Sequence, residues 1–241
     1  MDVLLNYYDF LMNIFQKVKM TQFHNIEKAA EMIFQALKAG GRFLVTGTGH
    51  SHMIAEEFYA RAGGFAQVCP ILPTEFMLHE HPLKSTEVER ISEYAEVIMK
   101  LYKIKAQDVI MIVSNSGRNG MIVELSRLAK EKGTKVIALT NIKHSKSELS
   151  RHPSGKRLYD FADIVIDNCG EHGDAAFKVE GLETPMGATS TAVGTFIAQA
   201  VSILLAKKFI DNNMEAPVFK SSNVDGGDEW NNILFSKYYN L

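Results

Sequence analysis

The chain reads as an α/β protein, a five-stranded parallel sheet of flavodoxin-like order 2-1-3-4-5 with helices on both faces. Three observations predict this. Short β-rich runs alternate with helix-period segments through the middle of the chain, the pattern of right-handed βαβ units. The run Val109-Ile110-Met111-Ile112-Val113 is continuously apolar, as a strand buried on both faces is. Two of the runs end in turns rich in glycine and hydroxyl side chains that open directly into helical segments. At 241 residues, 46% of them apolar, the chain is long enough to bury a substantial core.

Residues 1–40 read as a pair of amphipathic helices. Leu4, Leu5, Tyr8, Leu11, Met12 and Phe15 recur at helical spacing. Ile26, Ala29, Ala30, Ile33, Phe34 and Leu37 do so again before Gly40-Gly41 ends the second helix. Strands are expected at 42–47, 66–72, 108–114, 135–140 and 164–169, and helices at 51–63, 87–102, 119–132 and 187–210. Two long connections interrupt the alternation: 72–86, with Glu75, His79, Glu80 and His81, and 141–162, with its Lys, His and Ser residues. Connections of this length are often functional. The C-terminal tail, 211–241, is polar and turn-rich but holds the only tryptophan, Trp230, which suits an anchor folding it back onto the domain at 41–210.

Composition narrows the partners. A net charge of −2 with scattered Lys and Arg leaves no basic excess to neutralise a nucleic-acid backbone. Residues 1–19 are interrupted by Asp2, Asn6, Asp9 and Asn13, unlike a secretory signal. The longest apolar run, Thr195 to Ala206, contains Gln199 and Ser202 and is short for a membrane span. Cys69 and Cys169 stand far apart and in no metal-binding spacing. The expectation is a cytoplasmic protein with no nucleic-acid and no membrane partner.

The chemistry concentrates in the two turns. Thr46-Gly47-Thr48-Gly49-His50-Ser51-His52 follows the first strand of the sheet, and Ser114-Asn115-Ser116-Gly117-Arg118-Asn119-Gly120 follows the third. At a strand-to-helix turn, free N–H groups and the helix dipole favour an anion, and small side chains let it approach the backbone. The order 2-1-3-4-5 sets both turns side by side at the switch point between strands 1 and 3, where open α/β sheets bind ligands. Other readings fit less well. His52 stands where a dinucleotide fingerprint needs its third glycine, no Gly-Lys-Ser/Thr occurs, and Ser116 is not in a G-x-S-x-G elbow. Neither H-x-H pair has an obvious third ligand, so no metal and no cofactor are expected.

These turns, with Pro185-Met186-Gly187-Ala188-Thr189-Ser190-Thr191 before the last long helix, resemble the sugar isomerase (SIS) domain family over residues 25–210. The N-terminal helices resemble those of its phosphoheptose-isomerase-like branch. The resemblance implies a phosphorylated sugar held by Thr48, Ser51, His52, Ser114, Asn115, Ser116, Arg118 and Asn119. It also implies a homodimer or homotetramer, for which the apolar N-terminal helices would provide the interface, and aldose–ketose isomerisation through an enediol.

Such a reaction begins by removing a proton next to a carbonyl, which needs a positioned base. The family's glutamate, ten residues past the turn serine, falls on Arg61 here. The candidates for acid/base work are therefore Glu57, one helical turn before Arg61, Glu75 and His79 in the 72–86 connection, and His172 after strand 5. Two further readings stay open. An etherase-like lyase or amino-sugar-phosphate enzyme is favoured by Arg118, and a non-catalytic sugar-phosphate sensor by the displaced glutamate.

Overall fold

The computed structural model describes residues 2–239. The expected N-terminal helix pair is instead one continuous helix, α1 (Val3–Lys38), of 36 residues. No glycine or proline lies between Phe15 and Ile26, so nothing interrupts the backbone hydrogen bonds where a turn was expected. The second apolar stripe, Ile26, Ala29, Ala30, Ile33 and Phe34, is buried, whereas Leu4, Leu5, Tyr8 and Met12 of the first stripe are exposed.

The sheet comprises β1 (Phe43–Gly47), β2 (Val68–Ile71), β3 (Val109–Val113), β4 (Lys135–Thr140) and β5 (Ile164–Asp167). It is parallel and ordered β2-β1-β3-β4-β5, as the alternation predicts. Three more helices follow β1 and β2: α2 (His52–Phe58), α3 (Lys84–Val88) and α4 (Tyr94–Leu101). After β3 come α5 (Gly120–Lys132), α6 (Ile142–Ser147), α7 (Leu158–Phe161), α8 (Ser190–Asp211) and α9 (Gly227–Tyr238). A small antiparallel hairpin, β6 (Ala175–Phe177) with β7 (Met186–Ala188), lies between β5 and α8. It takes residues expected at the start of the last helix.

Side-chain alternation along the strands sorts the core into two layers. Phe43, Val45, Val109, Met111, Val113 and Ile137 pack with α1, α2 and α8, while Leu44, Ile110, Ile112, Val136 and Ala138 pack with α4 and α5. Each large side chain so buried contributes about 1.5–3 kcal/mol. The segment expected as one helix over 87–102 is divided into α3 and α4, and α2 stops at Phe58, where Tyr59 is extended and Ala60 has φ +47°.

The most apolar 18-residue stretch of α8 has a mean hydropathy of 1.5, so this 22-residue helix is long and apolar enough to cross a membrane on length and composition alone. This corrects the shorter run expected from the sequence. Here α8 packs against α1 and α2, with Val193, Ile197, Val201 and Leu205 buried, as a core helix does. The tail folds back through α9. Trp230 donates its indole N–H to the Val218 carbonyl at 2.8 Å, and Tyr239 donates to the Val68 carbonyl on the outer strand at 3.2 Å. The tail thereby reaches the outer strand of the sheet.

Candidate functional site

β1 and β3 are neighbours, with Gly47 in register with Val113, so the turns that follow them lie side by side. In the first turn, residues Gly49–Ser51 form a single 3-10 turn that leads into α2. A Cβ on Gly47 would lie 2.5 Å from the Ser51 carbonyl oxygen, so only glycine lets the chain fold back this tightly. In the second turn, the Ser114 hydroxyl accepts from the Gly117 N–H at 3.1 Å. Gly117 has φ +57°, and its Cβ would meet Ser145 Oγ at 3.1 Å. Asn119, with extended backbone, then starts the 13-residue α5.

This geometry leaves donors unspent. Among the described residues, the backbone N–H groups of Asn115, Ser116, Arg118 and Asn119 reach no protein acceptor. The Ser51 and Ser116 hydroxyls are likewise unpartnered among the described residues. Ser51 and Asn115 border a narrow crevice, together with His50, Asn168, Ser190 and Thr191, over a floor of Ile54, Val113 and Leu139. Thr191 sits in the Pro185–Thr191 segment that the resemblance singled out.

One carboxylate joins the two turns, and sequence reasoning missed it. Glu89 accepts from Thr48 Oγ1 at 2.6 Å and from Asn119 Nδ2 at 2.7 Å. Asn119 Oδ1 accepts in turn from Arg151 Nη1 at 2.8 Å. The carboxylate on one side and the guanidinium on the other fix which way the Asn119 amide points. Burial pushes the Glu89 carboxyl above the usual carboxylate range, against the opposing effects of the Thr48 hydroxyl and the Arg151 and Arg90 charges. In the sequence, Glu89 stands in Glu87-Val88-Glu89-Arg90, which looks like a solvated helix face. Only the break after α3, with the Met121 N–H donating to the Glu89 carbonyl at 3.0 Å, carries it to the turns.

The remaining expected site residues divide into three groups. Thr48, Ser51, Ser114, Asn115, Ser116, Arg118 and Asn119 all belong to the two turns. Asn115 Oδ1 accepts from Asn168 Nδ2 at 2.8 Å. Arg118 is paired with Glu148 at 2.8 Å, and Glu148 with His172 at 3.1 Å. The His172 hydrogen bond and the Arg118 charge hold the Glu148 carboxyl below its ordinary range. The His144 ring lies 4.7 Å from that of His172, and burial and the His172 charge lower its pKa.

His52 is buried, with Nδ1 on the Gly49 carbonyl and Nε2 3.4 Å from Glu56. The exposed His79 ring stands edge-on to it at 6.0 Å. Glu57 is bound by an ion pair to Arg61 and accepts from Gln199 Nε2 at 2.6 Å. Glu75, in a 3-10 turn, faces Tyr94, whose phenol is held above its ordinary pKa first by burial and then by the Glu75 charge. Among the described residues no group of three His, Cys, Asp or Glu side chains is arranged to hold a metal ion.

Comparison with known proteins places this geometry in a family. A family model described as SIS domain matches residues 6–141, a span that includes both turns. A UPF0309 protein of Halalkalibacterium halodurans is 48% identical, covering 97% of this chain and 96% of its own length. Among solved structures, a phosphoheptose isomerase from Neisseria gonorrhoeae superposes with a TM-score of 0.58 at 18% identity, covering 85% of this chain and 97% of that one. The Vibrio vulnificus NanR protein, solved as a complex with ManNAc-6P, superposes with a TM-score of 0.54 at 16% identity, covering 88% of this chain and 65% of that one. The two turns at the switch point and the match that spans them lead to one conclusion: the chain belongs to the SIS-domain family.

Proposed function

We propose that this protein binds a phosphorylated sugar across the two turns and interconverts its aldose and ketose forms through an enediol. The observation that carries the reading is the set of donors unspent among the described residues: four backbone N–H groups in the turn that opens α5, and the Ser51 and Ser116 hydroxyls. Free N–H groups at a helix-opening turn and small hydroxyls are the kinds of donor that hold a phosphate. The crevice beside them is lined by hydroxyl, amide and imidazole groups that suit a polyol. The Neisseria isomerase and the Vibrio protein with its ManNAc-6P, both fold-level likenesses, support the ligand class.

For the reaction, Glu89 is the candidate base. It is the carboxylate that touches both turns, whereas Glu57 is engaged by Arg61 and Gln199. As a carboxylate it would take the proton from the carbon beside the carbonyl and return it to the former carbonyl carbon, while the adjacent hydroxyl proton passes to the former carbonyl oxygen, leaving the net charge unchanged. A raised pKa suits both halves of that cycle. A second reading, a protein that binds a sugar phosphate without turning it over, is favoured by Arg61 at the family's glutamate position. The exposed apolar residues of α1, with Phe196 and Ile203 of α8, suit a homodimer or homotetramer, which light scattering would test.

The first test is a thermal-shift panel of sugar phosphates against their unphosphorylated counterparts, in buffer free of inorganic phosphate. Stabilisation by one phosphosugar and not by its free sugar is expected. The stabilising compound is then incubated in deuterated water. Exchange of its C2 proton marks the isomerase, and binding without exchange marks the sensor. No phosphate-dependent shift across the panel would overturn the ligand class.

A further inference from the structure

The charges around the second turn are nearly all spent. Arg118, the cation inside it, is committed to Glu148, and Glu148 is shared with His172. Arg157, nearby, donates to the Glu148 backbone carbonyl. Glu89 adds a carboxylate between the turns. A phosphate monoester brings one and a half to two negative charges at neutral pH. The dipole of α5 offers the equivalent of about half a positive charge. Without a further cation, the ligand would meet a site with little net attraction and one repelling carboxylate.

Among the described residues two arginines beside the turn form no ion pair, Arg157 and Arg151, and the guanidinium of Arg157 is turned to the Glu148 carbonyl, not to Asn119. Arg151 lies in the 141–162 connection, and its own N–H donates to the Arg118 carbonyl at 2.9 Å. Its Nη1 reaches Asn119 Oδ1 at 2.8 Å, so both backbone and side chain are tied to the turn. Among the described residues it forms no ion pair, and it is exposed. Its guanidinium has five N–H donors, one of which is used on Asn119.

We infer that Arg151 supplies the cation that binds the ligand's phosphate at the turn opening α5. The inference rests on the reading that this turn is a phosphate cradle. Arg151 has the geometry for the task, because a guanidinium presents a flat fork that matches two phosphate oxygens. The tether to Asn119 holds the fork at the turn before the ligand arrives, which reduces the entropy lost on binding. The same tether continues to Glu89, so an anion drawing on Arg151 acts through Asn119 on the carboxylate proposed as the base.

The probe is inorganic phosphate, titrated by ³¹P NMR and thermal shift at low ionic strength into wild type, Arg151→Ala, Arg151→Lys and Arg118→Ala. Arg151→Ala should weaken phosphate binding about tenfold or more and flatten its dependence on salt. Arg151→Lys should retain part of the affinity, and Arg118→Ala should lose less than Arg151→Ala because its charge is already shared with Glu148. Melting temperatures without phosphate check that each variant is folded. Arg151→Ala binding phosphate as tightly as wild type overturns the inference while the cradle stands. Wild type that binds no phosphate overturns the cradle itself, and the inference falls with it.

Discussion

Glu89 Oε2 lies 2.6 Å from Thr48 Oγ1, and through its other oxygen the same carboxylate reaches Asn119 at 2.7 Å. Two turns that are 62 residues or more apart in sequence thus share one acid, at the point where the strand order reverses. Burial raises its proton affinity, and the Thr48 hydroxyl lowers it again. The two effects oppose each other, and burial is the larger.

Glu89→Gln tests the role. The amide keeps the volume: its oxygen can accept from Asn119 Nδ2 while its NH2 donates to the Thr48 hydroxyl oxygen, so sugar-phosphate binding should survive within a few-fold. Turnover should fall by about 10²–10⁴ if the carboxylate moves the proton. The pH dependence of folding has a definite sign. The folded pKa lies above the unfolded value of about 4.3, so between the two the native state holds more protons. Stability contributed by this group therefore falls as pH rises through that window. Glu89→Gln should remove that slope and be no less stable than wild type at neutral pH, as denaturant titration across pH would show. Full turnover in the variant would exclude Glu89 as the base.

Ser51→Ala and Ser116→Ala separate binding from folding. Neither hydroxyl has a protein partner among the described residues, so each variant should unfold within about 0.5 kcal/mol of wild type. A hydrogen bond from each to a charged phosphate is worth about 1.5–3 kcal/mol. Calorimetry should therefore show roughly tenfold or greater losses in affinity. A variant that loses stability but not affinity would mean that its hydroxyl supports the fold instead.

The fold and the two turns were legible in the sequence because both are local. Alternating periods identify strands and helices, and a glycine- and serine-rich turn is contiguous. Glu89 and Arg151 were not legible, because each reaches the site through contacts across the chain. Nothing in Glu87-Val88-Glu89-Arg90 separates a buried acid from a solvated one until α3 ends and the Glu89 carbonyl takes the Met121 N–H. The helix pair expected over 1–40 failed for a related reason. Two apolar stripes with a polar gap look alike whether the chain turns or simply rotates its buried face along one helix.

Asp108 and Arg42 fasten the opposite end of the sheet. Asp108 is 1% exposed, and its carboxylate accepts from the Arg42 and Lys105 N–H groups, both at 2.9 Å, and from Arg42 Nη2 at 2.6 Å. Arg42 also donates to the carbonyls of Tyr102 and Lys103. Asp108→Ala would strand these donors at a cost of about 3 kcal/mol, the low end for a buried pair because Arg42 is partly exposed. Thermal unfolding should shift down by roughly 6–12 °C. Phosphate binding at the far edge of the sheet should be unchanged at temperatures where the variant is folded.

Gly117→Ala tests whether the shape of the second turn matters as much as its donors. The φ of +57° is open to glycine and costs an alanine about 1–2 kcal/mol. The added methyl would also meet Ser145 Oγ at 3.1 Å and Thr140 Oγ1 at 3.2 Å, side chains that are both fully buried and have little room to move. The turn must then open away from α6, which shifts the Ser116 and Arg118 N–H groups relative to each other and breaks the hydrogen bond from Gly117 to Ser114. The expected result is a loss of stability of about 2 kcal/mol and a loss of phosphate affinity larger than that of Ser116→Ala. Affinity retained alongside reduced stability would show that the anion is held by Ser51 and the arginine rather than by the backbone of this turn.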